Sequence, residues 1–110
     1  MIRMEDEMTR YHEHIPVLME PAVDLLITDP TGIYVDATLG GAGHSVEILN
    51  RLDSGGRLYG IDQDPQALEA AAERVGGDPR FHPLSGNFGY IATLLPPEVH
   101  GRVDGILFDL

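Results

Sequence analysis

Short apolar runs alternate along this chain with segments in which apolar residues recur at helical spacing. The runs are rich in branched and aromatic side chains and predict four β-strands, at residues 33–37, 57–61, 80–84 and 103–110. Helical spacing predicts helices at 20–28, 44–52 and 65–75, and residues 87–95 form a loop or a short helix. Strands that alternate with helices predict a parallel sheet with right-handed crossovers.

Polar residues, glycines and prolines mark where the predicted helices begin and end. Asp64 is expected to cap the helix that Pro65 opens, and glycine and proline at 76–79 end that helix. The preceding helix is expected to end at 53–56, where a glycine would take a left-handed conformation. The apolar stripes predicted for these two helices are Val46, Ile48, Leu49 and Leu52, and Ala67, Leu68, Ala71 and Val75.

The predicted fold is a Rossmann-like α/β domain with strand order 3-2-1-4. Residues 1–13 are expected to be a flexible arm, and residues 14–110 the N-terminal half of the domain. A doubly wound sheet ordinarily has further strands, so we expect a chain truncated after strand four, the N-terminal part of a longer protein. Strand four would then be an apolar edge, through which copies of the chain can associate.

The charge balance bears on partners and location. Eighteen acidic residues stand against seven arginines and no lysine, a net charge of −11, so this segment lacks the clustered cations that grip a nucleic-acid backbone. Such a composition fits either a high-salt cytoplasm or a codon bias. The chain has no cysteine, no apolar run near the roughly 18 residues of a membrane span, and a start too polar for a signal peptide. A cytoplasmic location is therefore expected.

A glycine turn at 40–43 joins strand one to the following helix, where a ligand can approach the backbone near the helix N-terminus. No lysine follows Gly43, which excludes a P-loop, and Val46 stands where a dinucleotide fingerprint has its third glycine. Asp36 precedes the turn. An acid before a glycine turn suits S-adenosylmethionine, whose methionine end carries an ammonium group. The alternative is a tight turn without a ligand.

An acid, Asp62, ends strand two at the distance from the turn where a βαβ unit places a carboxylate on a ribose. A carboxylate can accept hydrogen bonds from both ribose hydroxyls; the alternative is a solvated loop acid. Phe88 follows strand three, beside the expected adenine position or in the core. Asp109 ends strand four at the crevice, where it would hold the cofactor's ammonium or face the substrate, whereas Asp104 is expected to be structural.

Three of the five histidines also bear on ligand chemistry. His44 lies at the turn and can offer a backbone N–H or an imidazole to a ligand. His12 lies two residues from His14 in the arm, a pair that rarely forms a metal site, so we expect no metal.

Four segments together resemble the bacterial 16S ribosomal RNA (cytosine-N4) methyltransferases, the MraW or RsmH family. They are 14–20 (His-Ile-Pro-Val-Leu-Met-Glu), 34–45 (Tyr-Val-Asp-Ala-Thr-Leu-Gly-Gly-Ala-Gly-His-Ser), 60–68 (Gly-Ile-Asp-Gln-Asp-Pro-Gln-Ala-Leu) and 103–110 (Val-Asp-Gly-Ile-Leu-Phe-Asp-Leu). The resemblance runs in order from about His14 to the last residue, and the opening segment combined with the glycine turn is specific to this family.

The resemblance implies S-adenosylmethionine as methyl donor and N4 of a cytidine in the small-subunit ribosomal RNA as acceptor. It implies that the cofactor is bound by Ala42, Gly43, His44, Asp62, Phe88 and Asp109. Ala42 replaces a common glycine, and Gln63 a common arginine. The family's next motif, Gly-x-Ser-Ser-x-Gln, is absent, so no catalytic residue is assigned and the chain alone is expected to be inactive. The competing hypotheses are a non-catalytic cofactor-binding or interaction module and an NAD-dependent oxidoreductase fragment.

Overall fold

The computed structural model describes residue 23 and the segments 25–37 and 44–108. Three groups of predictions lie outside the described residues. They concern the N-terminal arm and the pair of His12 and His14, the turn with Ala42 and Gly43, and the end of strand four with Asp109.

The described residues form a four-stranded parallel sheet. Its strands are β1 (Ile33–Ala37), β2 (Arg57–Asp62), β3 (Phe81–Ser85) and β4 (Val103–Phe108). The order is β3-β2-β1-β4, as predicted, with β1 paired to both β2 and β4. β2 ends one residue later than predicted, and β3 both starts and ends one residue later than predicted.

The helices follow the predicted alternation. They are α1 (His44–Arg51), α2 (Pro65–Arg74) and the short α3 (Ile91–Leu94), with 3₁₀ turns at Phe88–Tyr90 and Pro97–Val99. Before β1, residues 23, 25 and 26 are helical, so this helix ends earlier than predicted.

Apolar clusters cover both faces of the sheet. One face packs against α1 and α2 and includes Tyr34, Ile48, Leu49, Leu58 and Leu68. The other packs against α3 and the second 3₁₀ turn and includes Val35, Tyr59, Ile61, Ile91 and Val99. Because side chains alternate along a strand, Asp36 faces the same side as Tyr34 and therefore points toward α1.

The buried side of α1 is partly different from the prediction. Ile48, Leu49 and Leu52 are buried as expected, but His44 and Ser45 are buried too, whereas Val46 is only half-buried. Residues 44, 45, 48 and 49 share one side of a 3.6-residue helix, and Val46 lies beside that side. The start of this helix therefore places polar side chains against the sheet.

The left-handed glycine predicted at 53–56 is absent, because neither Gly55 nor Gly56 has a positive φ. Among the described glycines, positive φ angles occur at Gly76 (66°), Gly77 (75°), Gly86 (158°) and Gly101 (76°). A Cβ atom on Gly56 would instead lie 2.7 Å from the carbonyl oxygen of Pro30 and 2.9 Å from Cβ of Leu52. Close approach of the backbone thus requires this glycine, while Gly76 and Gly77 form the predicted stop after α2.

Asp104 is structural, as predicted. The pairing of β1 with β4 shifts by one residue between Ile33 and Tyr34, which leaves Asp104 as the extra residue of a bulge. Its Oδ2 accepts a hydrogen bond from the backbone N–H of Ile33 at 2.9 Å. A Cβ on Gly32 would come within 2.6 Å of the same oxygen, so the bulge and the glycine fit together at the N-terminal edge of the sheet.

Candidate functional site

The carboxyl ends of three neighbouring strands enclose a pocket of about 130 Å³. It is lined by Ala37, Ile61, Asp62, Gln63, Gly86 and Phe88. The structure thereby brings together Asp62 and Phe88, two of the predicted site residues. Pockets for whole small molecules are usually above roughly 300 Å³, so these six residues have room for only part of such a molecule.

Asp62 is held in place by backbone contacts on both sides. It is the last residue of β2, and its backbone carbonyl accepts the N–H of Gly86 at 3.0 Å. Its carboxylate Oδ1 accepts the N–H of Asp64 at 2.8 Å. A carboxylate offers about four acceptor positions, so one such bond orients the group and leaves capacity for a ligand's hydroxyls. The side chain is half-buried and lines the pocket.

The neighbouring Asp64 caps α2, as predicted. Its Oδ1 accepts the N–H of Gln66 at 2.9 Å, and Pro65 occupies the first turn. The two acids of this loop therefore have separate roles: one fixes the helix start, and the other points into the pocket.

Phe88 lies where β3 turns into the first 3₁₀ turn. Asn87 caps that turn by accepting the N–H of Gly89 at 2.7 Å. Phe88 lines the pocket and also packs against the apolar cluster on the α3 face, so it is a residue of the core that also borders the pocket. Gly86 permits this turn, because a Cβ there would lie 2.5 Å from a methyl group of Leu94.

A buried polar pair lies at the base of the β1–α1 connection. Ser45 donates its hydroxyl hydrogen to Oδ2 of Asp36 over 2.7 Å, and the two residues are 1 % and 0 % exposed. His44, the first residue of α1, is buried beside them, and it is not among the residues that line the pocket. Sequence reasoning missed Ser45, although an acid inside a buried strand signals that some polar partner must exist.

The described residues also bear on metal binding and on membrane insertion. Within 23, 25–37 and 44–108, no three histidine or acidic side chains are grouped so that they could hold a metal ion. Over the same part of the chain, no helix has the length and apolar character needed to cross a membrane.

The sheet order and the crossovers define a Rossmann-like α/β domain, with its pocket at the carboxyl edge, where ligands bind in open α/β sheets. Comparison with known families makes this more specific. The model of the MraW methylase family matches residues 11–110, and the chain belongs to that family.

Three curated relatives of the chain carry the same name. The chain is 47% identical over 107 residues to the ribosomal RNA small subunit methyltransferase H of Bacteroides fragilis. It is 43% identical over 104 residues to the protein of that name from Shewanella denitrificans, and 46% identical over 103 residues to that from Shewanella loihica. These alignments cover 97%, 94% and 93% of the chain but 33% of each relative. The chain thus spans about a third of the length of these relatives.

Proposed function

We propose that this chain carries the cofactor-binding part of an S-adenosylmethionine-dependent methyltransferase that modifies N4 of a cytidine in the 16S ribosomal RNA. The observation that carries the proposal is the pocket at the ends of β1, β2 and β3, with Asp62 oriented into it, in a member of the MraW methylase family. The shared name of the relatives supports a ribosomal RNA substrate. Family membership also argues against the NAD-dependent oxidoreductase hypothesis.

The residues of the pocket fit a nucleoside. Asp62 would accept the two ribose hydroxyls, and Phe88 would border the adenine. Ala37 and Ile61 offer apolar surface next to the acid, which suits a ligand that is part polar and part aromatic. His44, Ala42 and Gly43 would contact the cofactor at the β1–α1 connection, and Asp109 would do so at the end of β4.

Bound S-adenosylmethionine supplies a methyl group on a positively charged sulfur. Asp62, Phe88 and His44 would hold it, and it would supply the methyl group that the cytosine amine takes up as the amine gives a proton to solvent. The contribution of this chain is to hold one reactant in a fixed position, which lowers the entropic cost of bringing two reactants together. No residue of the chain is proposed to handle the cytosine amine.

The charge of the chain supports a division of labour within the whole protein. A net charge of −11 disfavours contact with a phosphate backbone. We therefore propose that the RNA is bound by other parts of the whole protein, and that the protein works in the cytoplasm, where its ribosomal substrate is.

Calorimetric titration with S-adenosylmethionine tests the ribose role. The variant Asp62→Asn keeps an oxygen for the N–H of Asp64 but loses the charge, and we expect its affinity to fall about 10- to 100-fold. Asp53→Asn is the matched control, because Asp53 makes the same kind of bond, to the N–H of Gly55 at 2.8 Å, away from the pocket. Equal affinities of the wild type and Asp62→Asn would refute the ribose role. A titration with NADH should show no binding.

A second proposal concerns association of the chain. In the described sheet β4 is an edge strand with three buried apolar residues, Val103, Ile106 and Leu107. The opposite edge strand, β3, contains Pro83, which cannot donate a hydrogen bond. We therefore propose that the separately produced chain pairs through β4 with a second copy. A mass measurement in solution that finds only monomer over a wide concentration range would refute this.

A further inference from the structure

The buried pair Asp36 and Ser45 is unusual in its surroundings. Asp36 lies in the middle of the sheet, opposite Gly60 of β2 and Leu107 of β4. Tyr34 and Leu107, its neighbours on the same face, belong to the apolar cluster. A carboxylate buried among apolar groups costs free energy even when it is hydrogen-bonded, and an apolar residue of similar size would often serve stability as well. The position therefore suggests a role beyond packing.

The contact joins β1, whose last residue lines the pocket, to the first turn of α1. Asp36 is the penultimate residue of β1, directly before the pocket-lining Ala37, and Ser45 is the second residue of α1. Their 2.7 Å hydrogen bond fixes the first turn of α1 against the carboxyl end of the strand. The positive end of the helix dipole favours the carboxylate in this place. His44, next to Ser45, is held at the same junction.

We propose that Asp36 and Ser45 are positioning residues for the cofactor: their hydrogen bond holds the first turn of α1, with His44, in the orientation that S-adenosylmethionine requires. This inference rests on the proposed function. Both side chains are buried and neither lines the pocket, so we assign Asp36 an indirect role in place of the direct contact with the ammonium group that its position before the glycine turn suggested. The pair acts through the placement of α1 relative to Ala37 and the rest of the pocket wall. Loss of the bond leaves the fold in place and lowers affinity.

The test is calorimetric titration of S-adenosylmethionine into the folded 110-residue chain and its variants. Ser45→Ala removes the hydroxyl donor, and we expect affinity to fall roughly tenfold, as one buried hydrogen bond implies. Ser45→Thr keeps a hydroxyl and should restore most of the affinity. Ser54→Ala is the matched control, since Ser54 is exposed in the loop between α1 and β2.

A double-mutant cycle with Asp36→Asn identifies the bond itself. If the two side chains act through each other, Asp36→Asn should weaken binding much less in the Ser45→Ala background than in the wild type. Unchanged affinity in Ser45→Ala, with or without a loss of stability, overturns the inference and leaves the ribose role of Asp62 standing. A wild type that binds no S-adenosylmethionine would overturn the proposed function and this inference together.

Discussion

Arg80 connects the start of β3 to the end of α1, and replacing it with methionine tests how strongly the fold depends on that connection. Its Nη1 donates hydrogen bonds to the carbonyl oxygens of Leu49 and Leu52 at 3.0 and 2.8 Å, with a longer contact of 3.4 Å to Asp53. Its Nε donates a hydrogen bond to Oδ1 of Asp78 at 2.9 Å. The last carbonyls of a helix have no partner within the helix, and a cation there also suits the helix dipole.

The expected cost follows from these contacts. A hydrogen bond from a charged donor contributes about 1.5–3 kcal/mol when buried. Two of the three carbonyl contacts are short, and the Arg80 side chain is 22% exposed, so water replaces part of what is lost. Methionine retains some packing of the aliphatic stem. We therefore expect Arg80→Met to lower the free energy of unfolding by about 2–3 kcal/mol, or Tm by about 8–12 °C for a domain of this size.

Urea denaturation of the chain provides the measurement. Arg74→Met is the matched control, because Arg74 is exposed in the last turn of α2 and the charge change is the same. Arg80→Lys keeps the charge but not the planar fork, and it should fall between the wild type and Arg80→Met. If Arg80→Met and Arg74→Met destabilise the chain equally, within about 0.5 kcal/mol, the carbonyl contacts do not stabilise the fold and the reasoning is wrong.

Three further substitutions test other local contacts. A hydrogen bond from Arg80 lowers the pKa of Asp78 from 3.8 to about 2. The ionised carboxylate therefore stabilises the fold above about pH 4, and this stabilisation is lost as pH falls toward 2. In Asp78→Asn, the free energy of unfolding should depend less on pH between about pH 4 and 2 than it does in the wild type. The same pH dependence in both proteins would contradict this. Asp104→Ala leaves the N–H of Ile33 without its acceptor and should cost about 1–2 kcal/mol in urea; no change would mean that water replaces the carboxylate. Gly56→Ala forces a Cβ within 2.7 Å of the Pro30 carbonyl and should cost about 1–3 kcal/mol; a thermal melt like that of the wild type would show that the loop adjusts freely.

The parts of the fold that sequence predicted are those set by neighbouring residues. The strands are short apolar runs bounded by turn residues, and β1 has the predicted bounds. The cap of α2 is similarly local, since Asp64 accepts the N–H of a residue two positions away. Strand order follows from crossover handedness and from the acid that ends β2, so it too could be predicted.

The contacts that sequence did not predict join residues far apart in the chain. Arg80 donates hydrogen bonds to carbonyl oxygens of residues 31 and 28 positions earlier in the chain. The spacing of apolar residues gives no information about such bonds between a side chain and a distant part of the backbone. Ser45 is polar on the buried side of α1, so hydrophobic spacing favoured Val46 in its place. Sequence predicted a left-handed glycine at 53–56, but Gly56 is required by the close approach of the Pro30 carbonyl, a contact that forms only when the loops pack together.

The two ends of the parallel strands, amino and carboxyl, differ in how far the polar groups there are hydrogen-bonded within the protein. At the N-terminal edge, Arg80 and Asp104 each bond backbone groups of another element, so a substitution there removes internal contacts. At the carboxyl edge, Asp62 makes one side-chain bond, to the nearby N–H of Asp64, and faces a pocket. Because a carboxylate with spare acceptor capacity adds little to the fold, substitutions at Asp62 should change affinity with little effect on stability. Substitutions at Arg80 should instead lower stability with little effect on affinity. Asp36 and Ser45 lie near the carboxyl ends of the strands but are buried. Substitutions at these two residues should therefore lower both the affinity for the cofactor and the stability of the fold.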